Sequence, residues 1–245
     1  MINVETADAV GLIELDRQER RNALDLEHCE ALRDAVTRTV AEGARALVVS
    51  GAGTSFCSGA DFGQVYGDGF RTALYAALHA LTDAPVPVIA AVNGPAIGAG
   101  TQLAIACDLR VVADEAVFAV PTARIGLAVD PWTVRRLALL AGGGAARAML
   151  LGCDQLDAQR AHGLGLADRL GDRDAAVAWA TSIASLAPLS LSYSKRALTD
   201  LFEPGTDATD ATGLFEAFEA CWTSEDVAES KRARAEQRSP RFSGR

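Results

Sequence analysis

The chain lacks most of the signatures that mark a catalytic protein at first reading. Its five cysteines, Cys29, Cys57, Cys107, Cys153 and Cys221, are odd in number and scattered, with no CxxC pair. They form no disulfide frame and no metal site, and read as reduced core or loop thiols. His28, His79 and His162 stand in no motif with a nucleophile, and the chain has no G-x-S-x-G elbow. Cys57 and Ser58 therefore have no evident activating base for a hydrolase triad. No glycine-rich nucleotide fingerprint occurs. Basic residues are in deficit: the net charge is −9 and the pI is near 4.9. That balance argues against nucleic acid or an anionic membrane as the main partner, and a polyanionic ligand would need a local basic cluster. No basic-then-apolar leader opens the chain, so a cytoplasmic location is the default expectation.

Charge is also missing throughout Ala84 to Cys107. The length would suit a membrane span, but Pro85, Pro87, Asn93, Gly94, Pro95, Gly98 and Gly100 would interrupt any single helix. The stretch instead reads as a buried strand (Val88 to Val92), a tight Gly/Pro turn, and a small-residue helix ending near Cys107. A second small-residue loop, Ser50 to Phe62, follows another buried strand, Arg45 to Ser50. Small residues let backbone approach a ligand closely, and amides at a helix start point outward unsatisfied. Two such loops on neighbouring strands are either plain tight turns or the two halves of an oxyanion hole.

The segments Phe56-Cys57-Ser58-Gly59-Ala60-Asp61 and Asn93-Gly94-Pro95-Ala96-Ile97-Gly98-Ala99-Gly100 resemble, in order and spacing, the crotonase (enoyl-CoA hydratase/isomerase) superfamily. Arg21-Asn22-Ala23-Leu24 and Cys107-Asp108-Leu109-Arg110 match it as well. The resemblance covers roughly Ile2 to Gly244 and implies an α/β spiral of repeated β-β-α turns. It also implies a core over residues 1–187 and a C-terminal helical domain over 188–245 that builds a homotrimer or a hexamer. The expected ligand is a fatty acyl-CoA, with no further cofactor and no metal. Its thioester oxygen would lie between the backbone amides of Ala60 and Ala99. One such donor is worth about 2.7–4 kcal/mol in a transition state.

The resemblance breaks where the hydratases carry two glutamates. Those positions fall on Gln102 and Thr122, neither of which can act as a carboxylate base. Each general acid–base group is worth typically 10²–10⁴-fold, so hydration is expected to fall close to background. One carboxylate remains nearby. Asp130 lies where dienoyl-CoA isomerases and a dehalogenase of the superfamily carry a working aspartate, and it is either such a group or the cap of a helix beginning at Pro131-Trp132. For coenzyme A, Arg20 and Arg21 are candidates for the phosphates, and solvated loop charges are the alternative. The backbone at Ala23 and from Ala60 through Asp61 to Phe62 would meet pantetheine and adenine. Trp132, Phe118 and Leu127 read as acyl-pocket or core residues. Near the C-terminus, Arg234 and Gln237 occupy positions where the family supplies a Phe and a Lys to a neighbouring subunit's CoA, and phosphate contact could pass to Arg234 or Arg238. The expectations are an acyl-CoA-binding protein without hydratase chemistry, an active hydratase or isomerase using Asp130, or a scaffold acting through its helical C-terminus.

Periodicity supplies the remaining elements. Strands are expected at Ile2–Thr6, Val10–Leu15, Leu109–Val112, Val117–Val120 and Leu166–Leu170. Amphipathic helices follow Asp25 and run from Phe70 to Leu81. Further helices are expected at Val134–Leu151, interrupted at Gly142 to Gly144, and at Leu156–His162, stopped by Gly163. Four more span Ala175–Leu186, Ser190–Leu201, Gly213–Trp222 and Glu225–Gln237. Residues 67–69 and 204–207 are expected to be mobile loops.

Overall fold

A computed structural model describes residues 1–63, 69–202 and 214–244. In chain order it contains strands β1 (Ile2–Ala7) and β2 (Val10–Leu15), helix α1 (Leu26–Ala41), β3 (Ala46–Gly51), α2 (Phe70–Thr82), β4 (Val88–Val92), β5 (Ala96–Ile97) and α3 (Ala99–Ala106). There follow β6 (Leu109–Val112), β7 (Val117–Ala119), α4 (Pro131–Leu151), β8 (Gln155–Asp157), α5 (Ala158–Leu164) and β9 (Arg169–Leu170). Helices α6 (Arg173–Ala184), α7 (Pro188–Phe202), α8 (Leu214–Thr223) and α9 (Glu225–Ala235) complete the described elements.

Six strands form one sheet in the order β1-β2-β3-β4-β6-β9, antiparallel only between β1 and β2. β3 and β4 are buried along their whole length, as continuous apolar strands in a sheet covered on both faces should be. Alternate residues feed different cores. Leu47, Val49, Val88 and Ala90 join Leu32, Leu78 and Leu103 on one face. Val48, Ile89 and Ala91 pack with Ala176 and Ala180 of α6 on the other. A small second sheet, β5-β7-β8, closes over the end of β4.

The structure moves several expected boundaries. The Leu156 region opens as a strand, and α5 starts later because the Asp157 side chain accepts from the Arg160 amide. Gly163 lies inside α5, and the left-handed stop falls on Gly165 (φ 86°). Only Arg169 and Leu170 of the expected fifth strand pair, with β6. α4 begins at Pro131, capped by Asp130, and breaks at Gly142 (φ 80°, ψ 150°). α9 ends at Ala235, and Gln237 turns into a positive φ of 53°. Of the loops expected to move, residues 67–68 and 204–207 lie outside the described residues.

The C-terminal helices lie against the sheet domain. Lys195 of α7 donates to the carbonyls of Leu81 and Val86 and pairs with Asp108 at 2.9 Å, yet α7 buries no residue and leaves Leu189, Tyr193 and Leu201 exposed. Trp222 of α8 donates to Ala128 O, and the tail folds back so that Glu229 accepts from the Arg241 amide and the Arg238 guanidinium. Among the described residues no single helix is long and apolar enough to cross a membrane.

Among the described residues, Arg110 is the largest fully buried side chain. Its guanidinium donates to the carbonyls of Leu166, Cys107 and Asp108 and to the Asp168 carboxylate, tying β6 to the chain before β9. Arg110→Met leaves those acceptors unmet in the interior and is expected to cost about 3–5 kcal/mol, read as a lower urea midpoint.

Candidate functional site

The site forms where β3 and β4 run out. The loop after β3 is pinned by Asn22, buried beneath it, whose amide donates to the carbonyls of Ala52 and Ser55. The two loops then join as a short parallel bridge between Cys57 and Ala96: Cys57 N donates to Pro95 O (3.1 Å) and Ile97 N to Cys57 O (2.9 Å). Two glycines permit this closeness. A Cβ on Gly59 (φ 107°) would lie 2.8 Å from Ile97 O and 4.0 Å from Ala99 N, and one on Gly100 would overlap Cys57 O. Leu24 N donates to Gly59 O and Asp61 N to Leu24 O, and Gly98 N is taken by Ala119 O. The amides between these, Ala60 and Ala99, donate to no acceptor among the described residues. Ala99 is the first residue of α3, so the helix dipole adds to its pull on an oxygen.

Both residues line a cavity of about 970 Å³, counting its mouth. Among the expected site residues, Ala60, Phe62, Ala99, Gln102 and Thr122 line it. Among the described residues, no aspartate or glutamate does. The walls are otherwise largely apolar, including Leu74, Ile97, Ile125 and Leu127. A second apolar groove, between α4 and α8, shares Ala128 and Val129 with the first.

Other expected residues fall elsewhere. Asp130 stands behind the wall, where its carboxylate accepts from the Thr133 amide (3.4 Å), the Thr133 hydroxyl and Gln102 Nε2 (3.3 Å). Its capping role is therefore realised. Gln102, itself buried, also gives Nε2 to Thr133 Oγ1 at 2.8 Å. Trp132 does not line the cavity: α4 carries its ring to Arg136, while Trp222 of α8 supplies the indole at the site. Arg20 and Arg21 are exposed on a 3-10 turn, and it is their carbonyls that hold the first loop, by accepting from Ser58 Oγ and Ser58 N. Arg234 lies over the Phe62 ring of its own chain at 3.8 Å, and Arg238 is engaged by Glu229 and Glu236.

Besides Trp222, three contributors were not anticipated. Arg17 pairs with Asp61 (2.9 Å) and Asp25 (3.2 Å) and donates to Ala23 O, binding the start of α1 to the loop that carries Ala60. Arg71 and Tyr75 enter the cavity from one face of α2. Their four-residue spacing on an amphipathic helix was the available signal, but nothing local marked that face as a ligand wall. Burial, followed by the negative field of Asp130, pushes the Tyr75 hydroxyl well above the usual tyrosine range. The buried thiols of Cys29, Cys57 and Cys107 are each pushed up to about 12, chiefly by desolvation, so none is a ready nucleophile. Among the described residues no cluster of three or more His, Cys, Asp or Glu could hold a metal ion.

A family model described as enoyl-CoA hydratase/isomerase matches residues 5–245. The chain belongs to this family. It is 46% identical over 245 residues to the probable enoyl-CoA hydratase echA6 of Mycobacterium tuberculosis, covering all of both chains. It is 32% identical over 258 residues to the carnitinyl-CoA dehydratase of Proteus mirabilis, covering 100% of this chain and 98% of the other. A crystal structure of an enoyl-CoA hydratase/isomerase from Pseudoalteromonas atlantica superposes with a TM-score of 0.87 at 29% identity, covering 99% of each chain. The crotonase-like α/β fold expected from the motifs is therefore the fold observed.

The ion cluster under the first loop sets a pH dependence. The Gly63 amide, then Arg17, lowers Asp61. Burial raises Asp25, but hydrogen bonds from His28 and the charge of Arg17 outweigh it and leave a net lowering. Carboxyls lowered on folding stabilise the folded state above their unfolded pKa of about 3.9, and that contribution is lost as pH falls through the folded values. Arg17→Met is expected to lower the urea midpoint at pH 7, with the gap to wild type closing below about pH 4.

Proposed function

We propose that this family member binds fatty acyl-CoA thioesters in the cavity, with the carbonyl oxygen between the amides of Ala60 and Ala99, and turns over enoyl-CoA slowly or not at all. The observation that carries this reading is the neutral cavity: Gln102 and Thr122 line it where a hydratase needs carboxylates, and no described lining residue replaces them. A thioester fits a pair of uncommitted amides, and the apolar walls with their adjoining groove suit an alkyl chain. Relatives named for enoyl-CoA and carnitinyl-CoA chemistry support the CoA ligand class. Asp130, the remaining candidate base, has its oxygens engaged by Thr133 and Gln102 behind the wall. On this reading it caps α4 and holds Gln102 in place instead of moving protons.

The local basic cluster that a polyanionic ligand needs would come from the exposed Arg20 and Arg21 and from Arg234, which lies over Phe62 of the cavity wall. Residues 188–245 would serve self-association, because α7 leaves a row of apolar side chains uncovered. A homotrimer or dimer of trimers acting on a cytoplasmic acyl-CoA pool completes the proposal.

Hydration of trans-2-enoyl-CoAs of several chain lengths, with binding of saturated acyl-CoAs titrated on the same preparation, tests it. The expected result is saturable binding with turnover far below the ordinary enzymatic range of about 1–10³ s⁻¹. Gln102→Glu combined with Thr122→Glu is expected to raise hydration by at least tenfold. Turnover in the ordinary range by the native protein would refute the non-catalytic reading.

A further inference from the structure

Two aromatic rings stand where the cavity meets the groove between α4 and α8. Trp222 lines the cavity, and Phe218, one turn earlier on α8, lines the groove. The rings meet edge to face, with centroids 6.3 Å apart and planes at 69°. The Arg71 guanidinium lies 5.2 Å from the centre of each. Ala128 and Val129 border both spaces, and the Trp222 indole is fastened to this shared border: its Nε1 donates to Ala128 O at 3.1 Å. Ala128 itself lies in the irregular segment between Gly126 and the Asp130 cap of α4. One hydrogen bond and one aromatic edge therefore fix the ring that parts the two spaces.

The groove is open where the cavity is walled. It has a volume of about 950 Å³, counting its open side, and Val134 and Ala217 on its flanks are exposed. Arg135 is the one charged residue in its described lining. An apolar trough facing water marks a place where something apolar lies. The amides of Ala60 and Ala99 belong to the cavity alone, so a chain held there by its thioester reaches the groove only by passing Trp222.

We propose that Trp222 is a gate that sets how acyl-chain length is read. Chains that fit the cavity end against the indole, and longer ones turn it away from Ala128 and lay their far ends in the groove between α4 and α8. This rests on the acyl-CoA reading above and adds to it a length rule with no upper wall. Turning the ring gives up its hydrogen bond and its edge contact with Phe218. Methylenes that reach the groove offset that loss, each being worth about fourfold in affinity. Affinity therefore climbs with length in two stages, separated by a plateau over the lengths that press on the ring without passing it.

The test is calorimetric titration of the full-length protein with saturated acyl-CoAs of even length from butanoyl to octadecanoyl, each below its micelle concentration. The native protein should show a rise of about fourfold per methylene, a plateau and a second rise. Trp222→Ala should remove the plateau, and Trp222→Phe, which keeps a ring without the bond to Ala128, should shorten it. Ala217→Glu sets a charge in the groove at an exposed helical position where glutamate is a good helix former. It should abolish the second rise and lower the ratio of octadecanoyl to butanoyl affinity at least tenfold, with the thermal midpoint of the unliganded protein near that of wild type. An affinity that levels off at one and the same length in the native protein and all three variants would overturn the inference. So would a long-chain affinity that Ala217→Glu leaves unchanged. Failure of every acyl-CoA to bind, short or long, would overturn the acyl-CoA reading as well, whereas short chains that bind while both sites prove indifferent to length remove the inference alone.

Discussion

The site depends on one backbone contact, the short parallel bridge between Cys57 and Ala96. It joins the ends of two adjacent parallel strands after each has left the sheet, and it brings Ala60 and Ala99, whose amides have no acceptor among the described residues, to one cavity. The contact is possible because Gly59 and Gly100 have no side chain where the opposing backbone passes. Asn22, Leu24 and Arg17 brace the first loop from below, and Ala119 braces the second through Gly98. Strands, helices and the ion cluster thus meet at the two loops that carry Ala60 and Ala99 into the wall of the cavity. Rigidity matters because a preoriented donor needs no reorganisation when an oxygen arrives.

The described lining of the cavity carries no carboxylate, and its polar groups are held by one another. Gln102 and Thr122 line the cavity, and the nearby carboxylate of Asp130 accepts from Gln102 and caps α4. A buried amide costs little only when its hydrogen bonds are met, and Thr133 and Asp130 meet those of the Gln102 nitrogen. The cavity therefore keeps a hydrogen-bonded polar wall with no described carboxylate in its lining.

Much of this architecture could be read from residue order. The uncharged stretch from Ala84 to Cys107, with its Pro and Gly punctuation, announced strand, turn and helix because each residue type there has a local conformational preference. Ala60, Ala99, Gln102 and Thr122 were located because their roles depend on motif position, and the structure gathers all four around one cavity. Long-range partners were less legible. Trp132 was read as an acyl-pocket or core residue, but the turn of α4 carries it to Arg136, and a tryptophan ninety residues later lines the cavity. Arg17 reaches Asp61 across forty-four residues, a separation that no local pattern encodes. Gly163 was expected to stop α5, but the helix begins only after the Asp157 cap and runs through Gly163 to a left-handed stop at Gly165.

The central claim is that a thioester carbonyl lies between the Ala60 and Ala99 amides. Infrared difference spectroscopy of a saturated acyl-CoA, carrying ¹³C at the thioester carbonyl, tests this without any need for turnover. Two charge-polarising donors predict a carbonyl band shifted to lower frequency in the complex. A bound ligand whose carbonyl absorbs at its solution frequency would contradict the account, because the acyl group would then lie in the cavity with its oxygen away from both amides.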